Sequence, residues 1–472
     1  MKGVEILPHE GIHLHRVLRF SDLLVYGLVY VAPIGPWSTW AFTSNLAGGA
    51  VALAYLLGAV ALSFTALSYS KMAMESSDAG SVYSYARLSM GEGIGFLSGW
   101  MVLLDYLLFP PLMYVFCGAT LAEFMPFLPA WGWILVTAAY NITVNWFGIK
   151  TSARFNLGTL IFQFFLLFAF LLLGIYVLAR SGAPMFTSTP WWAPDTTPAR
   201  IFSAASLCVM AYLGFDAITT LSSEVRADQR HLIGRAVVIS LALLGALAVL
   251  DVWVLSDLSR GLTYKDPTTA TFEAIGARIH PALGSFAAYA TALVVAISVT
   301  PPMVTGVSRV LYAMALNGEL PRGLACVHVR YRVPHVALLA SGALSIVVAL
   351  YFASQFDTLT SMVNFGALTA FIAVNASVIA LFAVRRRSGR WLPDLVSPGL
   401  GIAALLAVIL QMSRLALIVG LSWMTTGVIT YWLLVRRRRL ARGVMGATCK
   451  PSQLAAGVSH LADLGSSRTP RE

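Results

Sequence analysis

The sequence predicts an all-α membrane protein of about twelve transmembrane helices, and three observations carry that expectation. Hydrophobic residues make up 58% of the 472 positions and charged residues only 11%, about half the charged share of a soluble globular chain. Apolar runs such as Gly49 to Tyr69, Phe155 to Leu178 and Ile402 to Met412 recur along most of the length, and a helix of roughly 20 such residues crosses about 30 Å of hydrocarbon. Lys and Arg collect in alternate loops, about 26 of the 32 on the side of both termini and about 6 opposite, the asymmetry that the positive-inside rule assigns to cytoplasmic termini. That placement also reads the net charge of +11 as a topology signal touching anionic lipid, with the bilayer and not a nucleic acid as partner.

In chain order, residues 1–21 are polar, carry Glu5, Glu10 and several histidines, and do not look like a cleavable signal. They are read as a cytoplasmic N-terminus. Spans follow near 22–43, 47–70, 95–120, 131–149, 155–179, 201–222, 236–256, 285–305, 336–353, 360–384, 396–413 and 416–435. Residues 436–472 turn polar, with Ser, Gly and Pro from Ala441 onward, and are read as a cytoplasmic tail. The membrane-spanning body is thus read as 22–435.

Two pairs of interruptions recur five spans apart. Span 1 is broken by Ala32-Pro33-Ile34-Gly35-Pro36 and span 6 around Gly214-Phe215-Asp216; span 3 carries Pro110-Pro111 and span 8 Pro301-Pro302. Interrupted spans at corresponding positions of two halves point to an inverted repeat with a binding site between them. Repeat one then covers about 22–179, repeat two about 201–384, and two extra helices about 396–435. A broken helix leaves N–H and C=O groups that hydrocarbon cannot satisfy and a polar ligand can. Half-helix N-termini favour anions and C-terminal carbonyls favour cations, so a small ammonium or zwitterion suits spans 1 and 6.

Acidic residues deep in apolar runs are functional candidates by default. Asp105 sits mid-span with no Lys or Arg in that span to pair with it; it reads as a counter-charge or proton site, or alternatively as a neutral carboxyl bonded to a neighbouring helix. Asp216 follows the Gly214 break, where a substrate or gating role competes with a helix cap. Asp251 falls near the outer end of its span and reads as reaching water. Glu224, closing span 6 ahead of Arg226, Arg230 and Arg235, reads as a gate or an interfacial ion pair, and Glu75 and Asp78 as loop residues. Tyr30, Tyr106, Tyr212 and Phe215 lie beside the breaks or Asp105, where an aromatic face stabilises an ammonium by roughly 0.5–2 kcal/mol. Cys117, Cys208, Cys326 and Cys449 show no metal-ligand or disulfide spacing, and no nucleophile-base arrangement or ligand cluster points to an enzyme, a metal or a cofactor.

At Phe64-Thr65-Ala66-Leu67-Ser68-Tyr69, Ala79 to Ala86, Gly99 to Tyr106, Gly214-Phe215-Asp216-Ala217-Ile218 and Asn364-Phe365-Gly366-Ala367-Leu368, the chain resembles the amino acid, polyamine and organocation permease superfamily, and within it the bacterial putrescine importers. The resemblance implies a leucine-transporter-type fold, alternating access in an inner membrane, and a substrate site between spans 1, 3, 6 and 8. Asp105 and Asp216 are then ammonium partners, with Tyr30, Ala32, Pro33, Ile34, Gly35, Tyr106, Tyr212, Gly214 and Phe215 around them. Where many amino acid permeases of the superfamily carry a Gly-Ser-Gly run, span 1 here has Ala32-Pro33-Ile34-Gly35, which favours an amine without a carboxylate. Gln163 stands where some relatives have a coupling lysine, and Ser223-Glu224 replaces an acidic pair. The expected substrate is a putrescine-like cation with a proton or sodium co-substrate or the membrane potential as drive; an amino acid permease or exchanger is the alternative, and a sensor or channel a remote one. No motif sets the oligomeric state.

Overall fold

The computed structural model describes residues 20–75, 82–147, 153–182, 184–225, 229, 231–316, 318–328, 330–331 and 333–448, and among them every regular element is helical. Helix α1 (Phe20–Val31) and α2 (Pro36–Leu46) share one predicted span. The chain cannot continue α1 because Pro33 has no N–H to give, and α2 restarts on Pro36 at its first position, where the missing N–H is harmless. Helices α3 (Val51–Glu75), α4 (Val82–Met90), α5 (Glu92–Phe124), α6 (Ala130–Trp146) and α7 (Ala153–Ser181) complete the first half.

The second half opens with α8 (Pro198–Cys208), started by Pro198 and by the Thr197 hydroxyl, which accepts the Arg200 N–H at 3.3 Å. It gives way to 3-10 turns over Val209–Tyr212 and Phe215–Glu224, separated by Gly214. Then come α9 (His231–Leu258), the short α10 (Ala270–Arg278), and α11 (Pro281–Val294) joined through a π-helical stretch, Val295–Val299, to α12 (Thr300–Leu316). Helices α13 (His335–Tyr351), α14 (Phe356–Val378), α15 (Ser397–Leu410) and α16 (Arg414–Thr448) follow, α14 ending in a π turn over Ile379–Arg385. Chain contacts divide the protein into two units, Met1–Met424 and Thr425–Glu472.

By length and composition eight helical stretches among the described residues suffice to cross a membrane, among them Val51–Glu75, Glu92–Phe124, His231–Leu258 and Phe356–Arg385; Phe20–Val31 and His335–Tyr351 are shorter apolar helices. The difference from twelve arises where the predicted spans are broken or short, as at α1/α2, at α8 with its 3-10 turns, and at the 17-residue α6.

Three expectations are corrected. Span 3 is not interrupted: α5 runs unbroken through Pro110 and Pro111. Neither proline has an N–H for the carbonyl four residues back, so the carbonyls of Tyr106 and Leu107 lose their ladder donor although the helix persists. In span 8, by contrast, Pro301-Pro302 opens α12 immediately after the π turn, whose Ala296 carbonyl accepts Asn141 Nδ2–H at 3.3 Å. Glu75 is not a loop residue but ends α3, and its Oε1 and Oε2 accept N–H groups from the two terminal nitrogens of Arg386 at 2.7 and 2.6 Å; Asp78 lies outside the described residues. Helix α16 also continues to Thr448, past the boundary at 435. Helices α4 and α10 are additions.

Helix α14 meets α5 backbone to backbone. A Cβ on Gly366 would stand 2.7 Å from the Asp105 amide N and 3.0 Å from the Met101 carbonyl O, and neither main-chain atom can swing aside. Gly366→Ala is expected to force the helices apart at a cost of about 1–3 kcal/mol, read as a lower Tm in detergent. An unchanged Tm contradicts the close contact.

Candidate functional site

The first break turns at Ala32, which takes the left-handed φ of +60° without being glycine. Its N–H still reaches Leu28 O at 3.2 Å, while Gly35 N–H folds back to Ala32 O at 2.7 Å. Trp37 and Ser38 donate to Ile34 O and Gly35 O at 3.1 and 3.2 Å, and Pro33 and Pro36 have nothing to donate. The start of α2 is therefore poor in free N–H groups, unlike an anion-binding helix N-terminus. Carbonyls fare the other way: Val29 O would have bonded the N–H that Pro33 lacks, and Val31 O the N–H that Gly35 spends on Ala32. The turn is a better host for a cation than for a carboxylate.

The second break is Gly214, at φ +111°. A Cβ there would fall 2.5 Å from Tyr30 Cδ1, so this glycine lets the two breaks touch. Beyond it Asp216 turns its carboxylate back on its own backbone, with N–H groups at Gly214, Asp216 and Ala217 directed toward it, and Tyr69 Oη–H reaches its Oδ2 at 3.5 Å. The carboxylate caps its own turn and keeps lone pairs for a further partner.

Asp105 on α5 lies close enough to Asp216 for the two charges to interact. Both are half-buried, and among the described residues no Lys or Arg pairs with either. The Tyr30, Tyr69 and Tyr106 hydroxyls lie in the field of both acids. The first break, α5 and the 3-10 turn therefore converge on an acidic, tyrosine-lined spot, with the freed Tyr106 carbonyl one residue from Asp105.

Next to it is a partly open cavity, about 490 Å³ of space free of protein atoms with its open side included. Tyr30, Ala32, Ile34, Gly35 and Ser38 form one wall, Phe109, Met113 and Phe116 of α5 another, and Met210, Ala211 and Leu213 a third. Thr291, Val295 and Val299 close it at the α11–α12 junction. Spans 1, 3, 6 and 8 thus enclose one space. Its walls are mainly apolar, and neither aspartate lines it; Tyr30 both lines it and lies in the field of the acid pair.

Other expected site residues lie elsewhere. Tyr212 points away: it is fully buried, its hydroxyl donates to Tyr55 O at 2.9 Å, and its ring meets that of Tyr55 edge-on. Phe215 is a packing residue, its ring 5.4 Å from Phe371 and 5.9 Å from Tyr69. Pro33 is buried in the turn it creates. Gln163 on α7 is completely buried with neither amide atom hydrogen-bonded. Glu224 ends the second 3-10 turn, and its side chain lies outside the described residues. Sequence reasoning missed Phe109, Met113, Thr291 and Val295. Their only signal was proximity to the two proline pairs.

A family model described as amino acid permease matches residues 22–433. The chain belongs to the amino acid permease family. The low-affinity putrescine importer PlaP of Escherichia coli is 29% identical over 435 residues, covering 89% of this chain and 93% of that protein. The branched-chain amino acid permease BcaP of Bacillus subtilis is 26% identical, covering 90% and 94%. A vacuolar cationic amino acid transporter 4 of Arabidopsis thaliana is 27% identical, covering 80% and 65%. The permease is accordingly a membrane transporter and not an enzyme.

Proposed function

We propose that this permease imports a small cationic amine of the putrescine type across a bacterial inner membrane by alternating access. The pairing of Asp105 with Asp216 beside the first break carries this reading. Two half-buried carboxylates close enough for their charges to interact repel, and a compact dication relieves both charges at once. Tyrosine faces and hydroxyls, with open backbone carbonyls, complete a host for ammonium groups. The shortage of free N–H groups at the start of α2 removes the usual partner of an amino acid carboxylate. The E. coli relative named as a putrescine importer agrees with this direction.

The architecture that goes with the reading is twelve spans, a five-plus-five inverted repeat with two extra helices, and both termini in the cytoplasm. Uptake is driven by a proton gradient or the membrane potential. Uptake of labelled putrescine and labelled leucine into proteoliposomes tests the substrate. Saturable putrescine uptake that leucine does not inhibit is expected.

A second reading has its own observation. The cavity walls of Phe109, Met113, Leu213 and Val295 suit an apolar side chain, and BcaP is named for branched-chain amino acids. Faster uptake of leucine, with putrescine neither transported nor competing, establishes that reading over the first.

A further inference from the structure

Three carboxyl groups outside this site are buried among the described residues; Asp257 and Asp394 are ion-paired, with Arg260 and Lys71, and Asp251 is not. Asp251 on α9, expected from its sequence position to reach water, is 0% exposed. Its Oδ1 accepts the indole N–H of Trp37 at 3.1 Å. Its Oδ2, equally buried, has no hydrogen-bond partner, a rare condition that calls for an explanation.

The groups around it supply no balancing charge. Helix α2 presents Trp37, and α3 presents Tyr55, whose hydroxyl is bonded to Thr39 at 2.7 Å and lies beside Cys208 of α8. Phe170 of α7 and Phe272 of α10 pack edge-on against the Trp37 ring. Helix α1 faces α9 with Gly27 against Ser240. The charged groups nearest in sequence, Asp257 and Arg260, are paired with each other at 2.6 Å. On α10, Glu273 accepts from Thr269 at 2.8 Å and Arg278 donates to Leu258 O at 3.1 Å. Among the described residues no Lys, Arg or His pairs with Asp251.

Trp37 occupies the first turn of α2, donates its own N–H to Ile34 O, and sits between Gly35 and Ser38 of the cavity wall. We propose that Asp251 binds the co-transported proton and passes its protonation state to the cavity through Trp37. A proton taken from water on one side adds to the carboxylate, stays for the crossing and is returned to water on the other, one per cycle. The anion, when formed, holds the indole by a charge-assisted bond and the neutral acid by a weaker one, so the first turn of α2 feels the difference. The assignment rests on the transport reading above and supplies its coupling ion.

Proteoliposomes loaded with a pH-sensitive dye decide it, with putrescine as probe and leucine wherever putrescine is not carried. Wild-type uptake is expected to acidify the lumen. Asp251→Asn should keep exchange of labelled for unlabelled substrate while net uptake driven by a pH gradient falls about tenfold or more, as for loss of a proton-transfer group, and acidification disappears. Trp37→Phe, which leaves the carboxyl group in place, should keep acidification and shift the pH at which uptake is half-maximal. Acidification per substrate equal to wild type in Asp251→Asn overturns the proposal, as does wild-type uptake without acidification. Should Asp251→Asn fail to fold, an unchanged pH profile in Trp37→Phe overturns it too. Failure of the amine reading alone shows differently, as coupled uptake of leucine in place of putrescine.

Discussion

Asp105→Asn is expected to reduce putrescine uptake by about two orders of magnitude without lowering the amount of folded protein. Asparagine keeps the size of the side chain and one carbonyl acceptor but removes the charge. Leaving an ammonium group unpaired in a desolvated site costs roughly 2–5 kcal/mol, and each 1.4 kcal/mol is about a factor of ten. No protein group should suffer, because Asp105 holds no ion pair among the described residues and the α5–α14 contact at Gly366 is made by backbone. The matching change at Asp216 is less clean, since that carboxylate also receives the backbone N–H groups of its own turn and the Tyr69 hydroxyl. Asp105→Asn is therefore the sharper variant, read as initial uptake rates of labelled putrescine and leucine. Retained putrescine transport contradicts the counter-charge role. Loss of putrescine transport with leucine transport intact shows that the carboxylate serves the cation alone.

Much of this was legible in the sequence where chemistry forces the backbone. Pro33 and Pro36 cannot donate hydrogen bonds, so the break in span 1 follows from composition, and Gly214 marks the second break because few other residues accept its conformation. Pro110 and Pro111 misled for a related reason: a membrane helix tolerates missing bonds when neighbouring helices enclose it, and α5 is so enclosed. Faces were harder to read than positions. Tyr212 and Phe215 adjoin the Gly214 break in sequence, yet one bonds α3 and the other packs on Phe371. Asp251 lies seven residues before the end of α9, at Leu258, but depth along a helix does not say whether a residue faces water or Trp37. Phe109, Met113 and Val295 gave no contrast at all, being apolar residues in apolar spans. The short helices α4 and α10 escaped because neither is long enough to register as a span.

Gly214→Ala should be nearly as damaging as Asp105→Asn, for a conformational and not an electrostatic reason. An alanine at φ +111° occupies a sparsely populated region at a cost of about 1–3 kcal/mol. Its methyl group would also lie 2.5 Å from Tyr30 Cδ1, with the Tyr30 carbonyl carbon and oxygen at 3.1 and 3.2 Å. The ring can rotate away, but the carbonyl can retreat only by parting the two breaks, and that displaces Tyr30 from the cavity wall. With about 3 kcal/mol in total, the site-competent conformation falls roughly a hundredfold, and uptake with it. Gly306→Ala is the control: a Cβ there meets the Tyr30 hydroxyl at an ordinary 3.9 Å, and alanine suits the interior of α12 better than glycine. Uptake near wild type in Gly306→Ala and near background in Gly214→Ala is the expected pair of results. Equal uptake in both means that contact between the breaks does not govern transport, and that Tyr30 is held in place by α1 alone.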